Sequence, residues 1–282
     1  MPIKVYKSTT PGRRISSVDS FSDVTKKNPE KSLVTALRRK AGRNNQGIIT
    51  VRHQAGGAKR LYRLVDFKQE KFDIPAEVLA IEYDPNRGPR IALIKYTDNS
   101  KAYILAPANL KIGDKVVFSK NLVEAKPGNR MPLYQIPIGL FVYNIEVTAG
   151  KGGQLVRGAG MSAQFVGVEG DFALLKLPSG EIRKVRKECS ASVGMLSNAD
   201  RRLIRWGKAG RMRHRGIKPR VKGKNMNPVD HPHGGGEGHS PIGQKRRGPM
   251  TVYGRKALGV KTRKPGKWSD KFIVKRRVKK TI

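Results

Sequence analysis

The chain of 282 residues divides its charge into three unequal blocks, and that division limits where a core can form. Residues 201–282 hold 26 Lys and Arg against 3 Asp and Glu. Residues 1–60 hold 14 against 3, whereas residues 61–200 hold 19 against 15 and are nearly neutral. Dense like charge opposes compaction through self-repulsion. The flanks are also poor in apolar residues. A nearly neutral centre therefore carries the fold between two cationic arms. The longest aliphatic runs, Ala76–Tyr83, Arg90–Tyr96 and Phe172–Leu177, all lie in that centre. The net charge of +38 points outward, to a polyanionic partner.

The same composition excludes several classes. Cys189 is the sole cysteine, so no internal disulfide forms and a reducing compartment is expected. No apolar run reaches the roughly 20 residues of a membrane helix. The opening M-P-I-K-V-Y-K lacks the apolar stretch of a signal peptide. The basic arms contain no amphipathic helix long enough to lie on a lipid surface.

Residues 1–35 read as irregular, with Thr10-Pro11-Gly12-Arg13-Arg14 as a turn followed by a charge pair, and a short helix is predicted over Ser32–Lys40. From Ile48 the pattern becomes β. Ile48–Arg52, Leu61–Phe67, Ala76–Tyr83, Arg90–Thr97, Lys101–Ala106 and Lys115–Phe118 are short runs rich in β-branched and aliphatic residues. Turn chemistry separates them, as in Asp84-Pro85-Asn86-Arg87-Gly88 and Thr97-Asp98-Asn99-Ser100. Such closely spaced strands predict a small barrel of the OB type. Ala125–Met131 reads as a linker. Gly139–Val147, Met161–Glu169, Phe172–Leu177, Ile182–Arg186 and Ala191–Met195 then predict a second, SH3-like barrel. A helix is expected from Asn198, its cap, to Gly207, with Asp200 in its first turn. No regular pattern follows. The expected class is mostly β: two small barrels flanked by extended basic arms. The expected divisions are an arm at 1–36, an OB-fold at 37–124, an SH3-like barrel at 125–197, and a helix with an extended basic tail at 198–282.

Residues 225–238, N-M-N-P-V-D-H-P-H-G-G-G-E-G, hold almost nothing that could fill a core. Pro restricts this backbone and Gly allows a partner to approach it closely. The segment is therefore expected to take its shape from a partner rather than from itself. Asp230, His231, His233, Glu237 and His239 invite a zinc reading. However, the two His flank one proline and no Cys-x-x-Cys supports them. Acid–base chemistry, with Asp230 orienting His231, lacks a nearby nucleophile. The bland reading is preferred: imidazoles, amides and backbone N–H groups bonding phosphates and sugars.

Two further segments favour nucleic acid. Gly56-Gly57-Ala58-Lys59-Arg60 lacks the spacing of a nucleotide-hydrolysing phosphate loop. With Gly42-Arg43-Asn44-Asn45-Gln46-Gly47 and Arg52-His53 it forms a basic, Gly-rich rim. Its Arg can fork onto phosphate and its Asn can reach base edges or 2′-hydroxyls. The stretch Gly207–Gly216, with Lys208, Arg211, Arg213 and Arg215, continues through Arg220, Lys222 and Lys224 almost without acids. It is expected to lie as a ribbon along a phosphate backbone. Arg255, Lys261, Arg263, Lys275, Arg276 and Arg277 extend it. Trp206, Tyr253 and Trp268 could stack on exposed bases.

These residues resemble the bacterial large-subunit ribosomal protein L2 family. The resemblance runs from Thr10-Pro11-Gly12-Arg13-Arg14 to Asp270-Lys271-Phe272-Ile273-Val274. It includes Gly42-Arg43-Asn44-Asn45, Glu82-Tyr83-Asp84-Pro85-Asn86-Arg87, Tyr103-Ile104-Leu105-Ala106-Pro107, Gly150-Lys151-Gly152-Gly153-Gln154-Leu155, Gly207-Lys208-Ala209-Gly210-Arg211 and Met226–Gly238. The last motif is the most specific.

The resemblance implies an OB-fold, an SH3-like barrel and a tail threaded into 23S rRNA near the peptidyl transferase centre. It implies other large-subunit proteins as neighbours, contact with the small subunit and tRNA, and a place in the cytoplasmic 50S subunit. It implies no membrane, no homo-oligomer, no enzymatic activity and no cofactor beyond Mg²⁺ carried by the rRNA. The candidate rRNA contacts are Arg13, Arg14, Arg43, Asn44, Asn45, Arg52, His53, Lys59, Arg60, Arg63, Arg87 and Lys151. In the tail they are Lys208, Arg211, Arg213, Arg215, Arg220, Lys222, Lys224, Asn225, Asn227, His231, His233, Arg255, Lys261, Arg263, Lys275, Arg276 and Arg277. The family's motif histidine corresponds to His231, read as a support for RNA structure.

The chain departs from the family pattern at four places. Gln54-Ala55-Gly56-Gly57-Ala58-Lys59 stands for the usual R-G-G-G-H-K, so Gln54, Ala55 and Ala58 replace a cation, a glycine and a histidine. His214 and Tyr253 stand for Trp, and Tyr143 for His. Two other readings, an architectural DNA-binding protein and a zinc hydrolase built on His231, His233 and Glu237, lack a major-groove reader and a complete ligand set respectively.

Overall fold

A computed structural model describes residues 3–237, 241–242 and 248–277. The first residues, expected to be irregular, are ordered by a small ribbon. Strand β1 (Ile3–Val5) pairs antiparallel with β2 (Ser17–Asp19). Between them lies one helical turn, α1 (Pro11–Arg14), started by Thr10, which caps it in extended conformation, and by Pro11. The missing sequence signal was length: three-residue strands carry too little periodicity to read.

The helix expected over Ser32–Lys40 does not form. A 3₁₀ turn at Lys31–Leu33 leads into β3 (Val34–Ala36), which pairs with β4 (Leu61–Arg63). Leu33 packs against the barrel core, so tertiary contact overrides local helix propensity here. The first main sheet runs β7 (Lys101–Leu105), β6 (Ile91–Tyr96), β5 (Ala76–Glu82), β8 (Lys115–Val116), all antiparallel. β6 is covered on both faces. Ala92 and Ile94 join one cluster with Val78, Ile104, Val116 and Phe118, whereas Ile91 and Leu93 join Ala80 and Tyr103. That two-sided burial is why Ile91–Tyr96 reads as an unbroken apolar run.

The second sheet has seven strands. Its order is β15 (Ile273–Lys275), β13 (Ile182–Arg186), β12 (Phe172–Lys176), β11 (Ala163–Glu169), β10 (Phe141–Tyr143), β14 (Ser190–Val193), β9 (Arg130–Pro132). Met131, Val142, Ile145, Phe165, Leu175, Ala191 and Val193 form its core. Two strands were not expected. β9 occupies part of the supposed linker, and β15 brings a segment of the basic tail onto β13. The chain is mostly β, and the two sheets correspond to the two small barrels predicted from the sequence.

The helix expected over Asn198–Gly207 is a five-residue 3₁₀ turn, Ala199–Leu203. Asn198 makes no side-chain cap. Its backbone is left-handed and its amide donates to Gly88 O at 2.9 Å. A short helix does follow where none was expected, α2 (Ala209–His214).

The contacts group the chain into two compact units that do not follow chain order. One comprises Met1–Arg38, Lys59–Lys208 and Ser269–Ile282 and holds both sheets. The other joins Arg39–Ala58 to Ala209–Trp268.

Candidate nucleic-acid interface

The sheet-bearing unit turns several cations inward, and these were hidden among the surface charges of the sequence. Arg90 is fully buried and forks onto Asp19 and Asp23 at 2.7 to 2.9 Å. Its guanidinium also lies over the rings of Phe21 and Tyr83. Burial opposes its charge, but the two carboxylates outweigh that and raise its pKa. Arg130 is likewise buried, donating to Asn144 O at 2.8 Å and facing Glu146 at 3.0 Å. Both arginines are structural. A buried, paired cation is costly to uncouple because its partner is left unpaired.

Two sequence candidates behave the same way. Arg63 is only 7% exposed and donates to Leu61 O at 2.9 Å. Arg87 donates to Asp84 at 2.5 Å and lies over Tyr62 and Phe67. Both guanidinium groups thus make contacts within the fold itself. Arg60 is half-buried and reaches Pro85 O at 3.0 Å. Tyr143 is buried and packs with Leu105 and Leu196. Cys189 is buried too, and desolvation lifts its thiol to about 11.

By contrast, Arg13, Arg14, Lys59, Lys151, Lys208, Lys275, Arg276 and Arg277 are exposed. Arg13 lies over the Tyr6 ring, and Arg276 faces Asp270 at 3.6 Å.

The second unit carries 20 Lys and Arg against Asp230 and Glu237. Gly216 is the one buried residue among its described members. Backbone pairing gives it shape instead. Ala55 N–H donates to Gly216 O at 2.8 Å, Ala58 N–H to His214 O at 2.7 Å, and Lys218 N–H to His53 O at 3.0 Å. His53 Nδ1 lies 3.1 Å from Pro219 O, and Arg39 donates to the carbonyls of Gly56 and Gly57. So the loop altered at Gln54, Ala55 and Ala58 is paired with the tail around α2. Sequence order gave no sign of this, because about 160 residues separate the partners.

Within the loop, Ile48–Arg52 is not a strand. The chain turns back on itself, with Thr50 and Val51 N–H groups donating to Gly42 O. Asn44 Oδ1 accepts from the N–H groups of Gln46 and Ile48 at 3.0 and 2.9 Å. That side-chain oxygen therefore holds the turn. Arg43 and Arg52 remain exposed on it.

The motif around His231 also folds on itself, against the expectation from its composition. Gly235 N–H donates to Met226 O at 3.1 Å, Gly234 N–H to His231 O at 2.8 Å, and Asp230 N–H to Asn227 O at 3.0 Å. His233 N–H donates to His231 Nδ1 at 3.0 Å, and Met250 N–H donates to His233 Nε2 at 2.8 Å. In both contacts the ring nitrogen accepts, which leaves His231 Nε2 and His233 Nδ1 as the positions that can donate. Gly223 lies directly against the His231 ring, where a Cβ would come within 2.4 Å. Among the described residues no cluster of three or more His, Cys, Asp or Glu could hold a metal. Gly238 and His239 fall outside the described residues. Asn225, Asn227, Arg213, Arg215, Arg220, Lys222, Arg255, Lys261 and Arg263 are exposed; Arg211 and Lys224 are half-buried. Tyr253 and Trp268 are also exposed.

Two family models match this chain. Residues 30–118 match the ribosomal proteins L2, RNA binding N-terminal domain, and residues 126–254 match the ribosomal proteins L2, C-terminal domain. The chain belongs to the ribosomal protein L2 family. It is accordingly an RNA-binding structural protein of the large ribosomal subunit, not an enzyme, and the family needs no cofactor of its own. The two matches also include the loop at residues 39–58 and residues 209–254 of the tail that the second unit brings together.

Proposed function

We propose that this protein holds 23S rRNA in shape around the peptidyl transferase centre of the 50S subunit, and through that RNA supports subunit association and tRNA placement. The observation that carries this reading is the second unit: 80 residues with 20 Lys and Arg and two acids, and no buried side chain among its described residues. Such a segment lacks the apolar burial that stabilises a free domain and suits a phosphate-rich partner. The exposed cations of residues 39–58 and 209–268, with Arg13, Arg14, Lys59, Lys151 and Lys208, are the proposed contacts. Mg²⁺ carried by the rRNA would share the phosphate charge. Sedimentation of a cell lysate in high salt tests the assignment. Co-migration with the large subunit is expected, and free protein at the top of the gradient would overturn it.

In this reading His231 donates one hydrogen bond from Nε2 and shapes the motif, without transferring a proton. Gln can keep the donor and cannot titrate near neutral pH. Assembled His231→Gln particles should transfer peptide at close to the normal rate, with His231→Ala impairing assembly. A loss of about a hundredfold or more in the Gln particles, the scale of a missing general acid or base, would assign chemistry to the imidazole.

A further inference from the structure

We propose that residues 39–58 and 209–219 form one composite RNA-binding clasp, in which the loop grips RNA only while it is paired with the tail. The inference rests on the RNA-binding reading and goes beyond it, because it makes two distant cationic segments a single site.

Three observations carry it. First, the segments meet through main-chain hydrogen bonds in antiparallel sense, 53 with 218, 55 with 216 and 58 with 214. Gln54 and Ile217 form a bridge inside that register. Second, the crossing leaves no room for side chains. Gly57 and Gly216 both have positive φ, and a Cβ on Gly57 would sit 2.7 Å from Gly216 N and from His214 O. Third, apolar burial does not anchor the loop; its remaining bonds, from Arg39 to the Gly56 and Gly57 carbonyls and around Asn44, lie within the loop itself. No apolar residue of 39–58 is buried, while Ile48, Ile49 and Val51 are exposed. Without the pairing, Lys40, Arg43 and Arg52 would sit on a turn free to move relative to the tail, and fixing it on RNA would cost conformational entropy. With the pairing they are presented together with Arg213 and Arg215. The departures at Gln54, Ala55 and Ala58 fit this arrangement. Ala55 and Ala58 contribute backbone N–H groups to the clasp, so the changed side chains there leave the pairing intact.

The test compares the full-length protein with three variants on a large-subunit rRNA transcript, measuring affinity against salt. Replacing Lys40, Arg43 and Arg52 together by Ala should flatten the slope of log K against log salt by about 2, at 0.7 to 0.9 per phosphate contact. Gly216→Val removes no charge, yet should flatten the slope by a similar amount and weaken binding at least about tenfold. Gly57→Val breaks the same crossing from the loop side and should match it. Adding Gly216→Val to the triple Ala variant should cost little more. Independent, multiplying losses, or Gly variants with unchanged slope, would overturn the clasp. So would a lowered melting transition of the β core in either Gly variant, because the clasp would then not be a separate element. If the unaltered protein shows no salt-dependent binding, the RNA reading itself fails instead.

Discussion

The two units of this protein are built on opposite physical principles. In the sheet-bearing unit, fully buried side chains such as Ile94, Phe118, Phe165 and Leu175 fill two cores, and even its arginines can be internal. In the basic unit Gly216 is the one buried residue among those described, and shape comes from backbone pairing and close glycine contacts. Apolar burial contributes about 25 cal/mol per Å² and needs no partner. A main-chain hydrogen bond contributes about 0.5 to 1.5 kcal/mol net, against about 1.5 to 3 kcal/mol for fully burying a large apolar side chain. The first unit is therefore expected to be stable by itself, and the second to depend on what neutralises its charge.

The largest effect expected from this contrast comes from paired truncations. Phe165→Ala, in the core of the second sheet, should destabilise the fold by about 3 to 5 kcal/mol in denaturant titrations. Val229→Ala, at a side chain 97% exposed in the basic unit, should fall within about 0.5 kcal/mol of the parent. Equal costs at the two positions would erase the distinction.

Limited proteolysis of the RNA-free protein should show the next largest difference. Cleavage within 39–58 and 209–268 should run on the order of a hundredfold faster than within the strands of residues 76–193, because local opening there costs little. Added rRNA should slow the fast cuts selectively. A basic unit as resistant as the sheets without RNA would break the comparison.

The smallest expected effect concerns a charge inside the core. Burial raises the Glu82 carboxyl above its ordinary 4.5, although Tyr103 donates to it at 2.7 Å and Lys26 lies 3.8 Å away. A raised folded value favours the protonated form. The contribution is full below the ordinary value and is lost as pH rises through the folded one. Glu82→Gln should therefore be at least as stable as the parent at pH 7.5, with the advantage vanishing below about pH 4.5. An advantage that grows as the medium is acidified would reverse the assignment.

Much of the core was legible in the sequence because burial writes itself into local pattern. Ala76–Glu82, Ile91–Tyr96, Phe172–Lys176 and Ile182–Arg186 formed close to where their apolar residues placed them. Elements of three residues, such as β1, β9 and β15, carry too few positions to show a period. The helix expected from Asn198 shows how a cap residue can mislead. Its amide was recruited by Gly88 across the fold.

By itself the sequence determined the class of partner, the family and the division between a neutral β centre and cationic flanks, since charge and apolar content belong to residues one at a time. Only the tertiary structure decided which cations face inward, as Arg63, Arg87, Arg90 and Arg130 do. It alone joined 53–58 to 214–218 and set which ring nitrogens of His231 and His233 accept hydrogen bonds. Those outcomes depend on contacts between residues far apart in the chain, and a linear order of side chains does not encode distance.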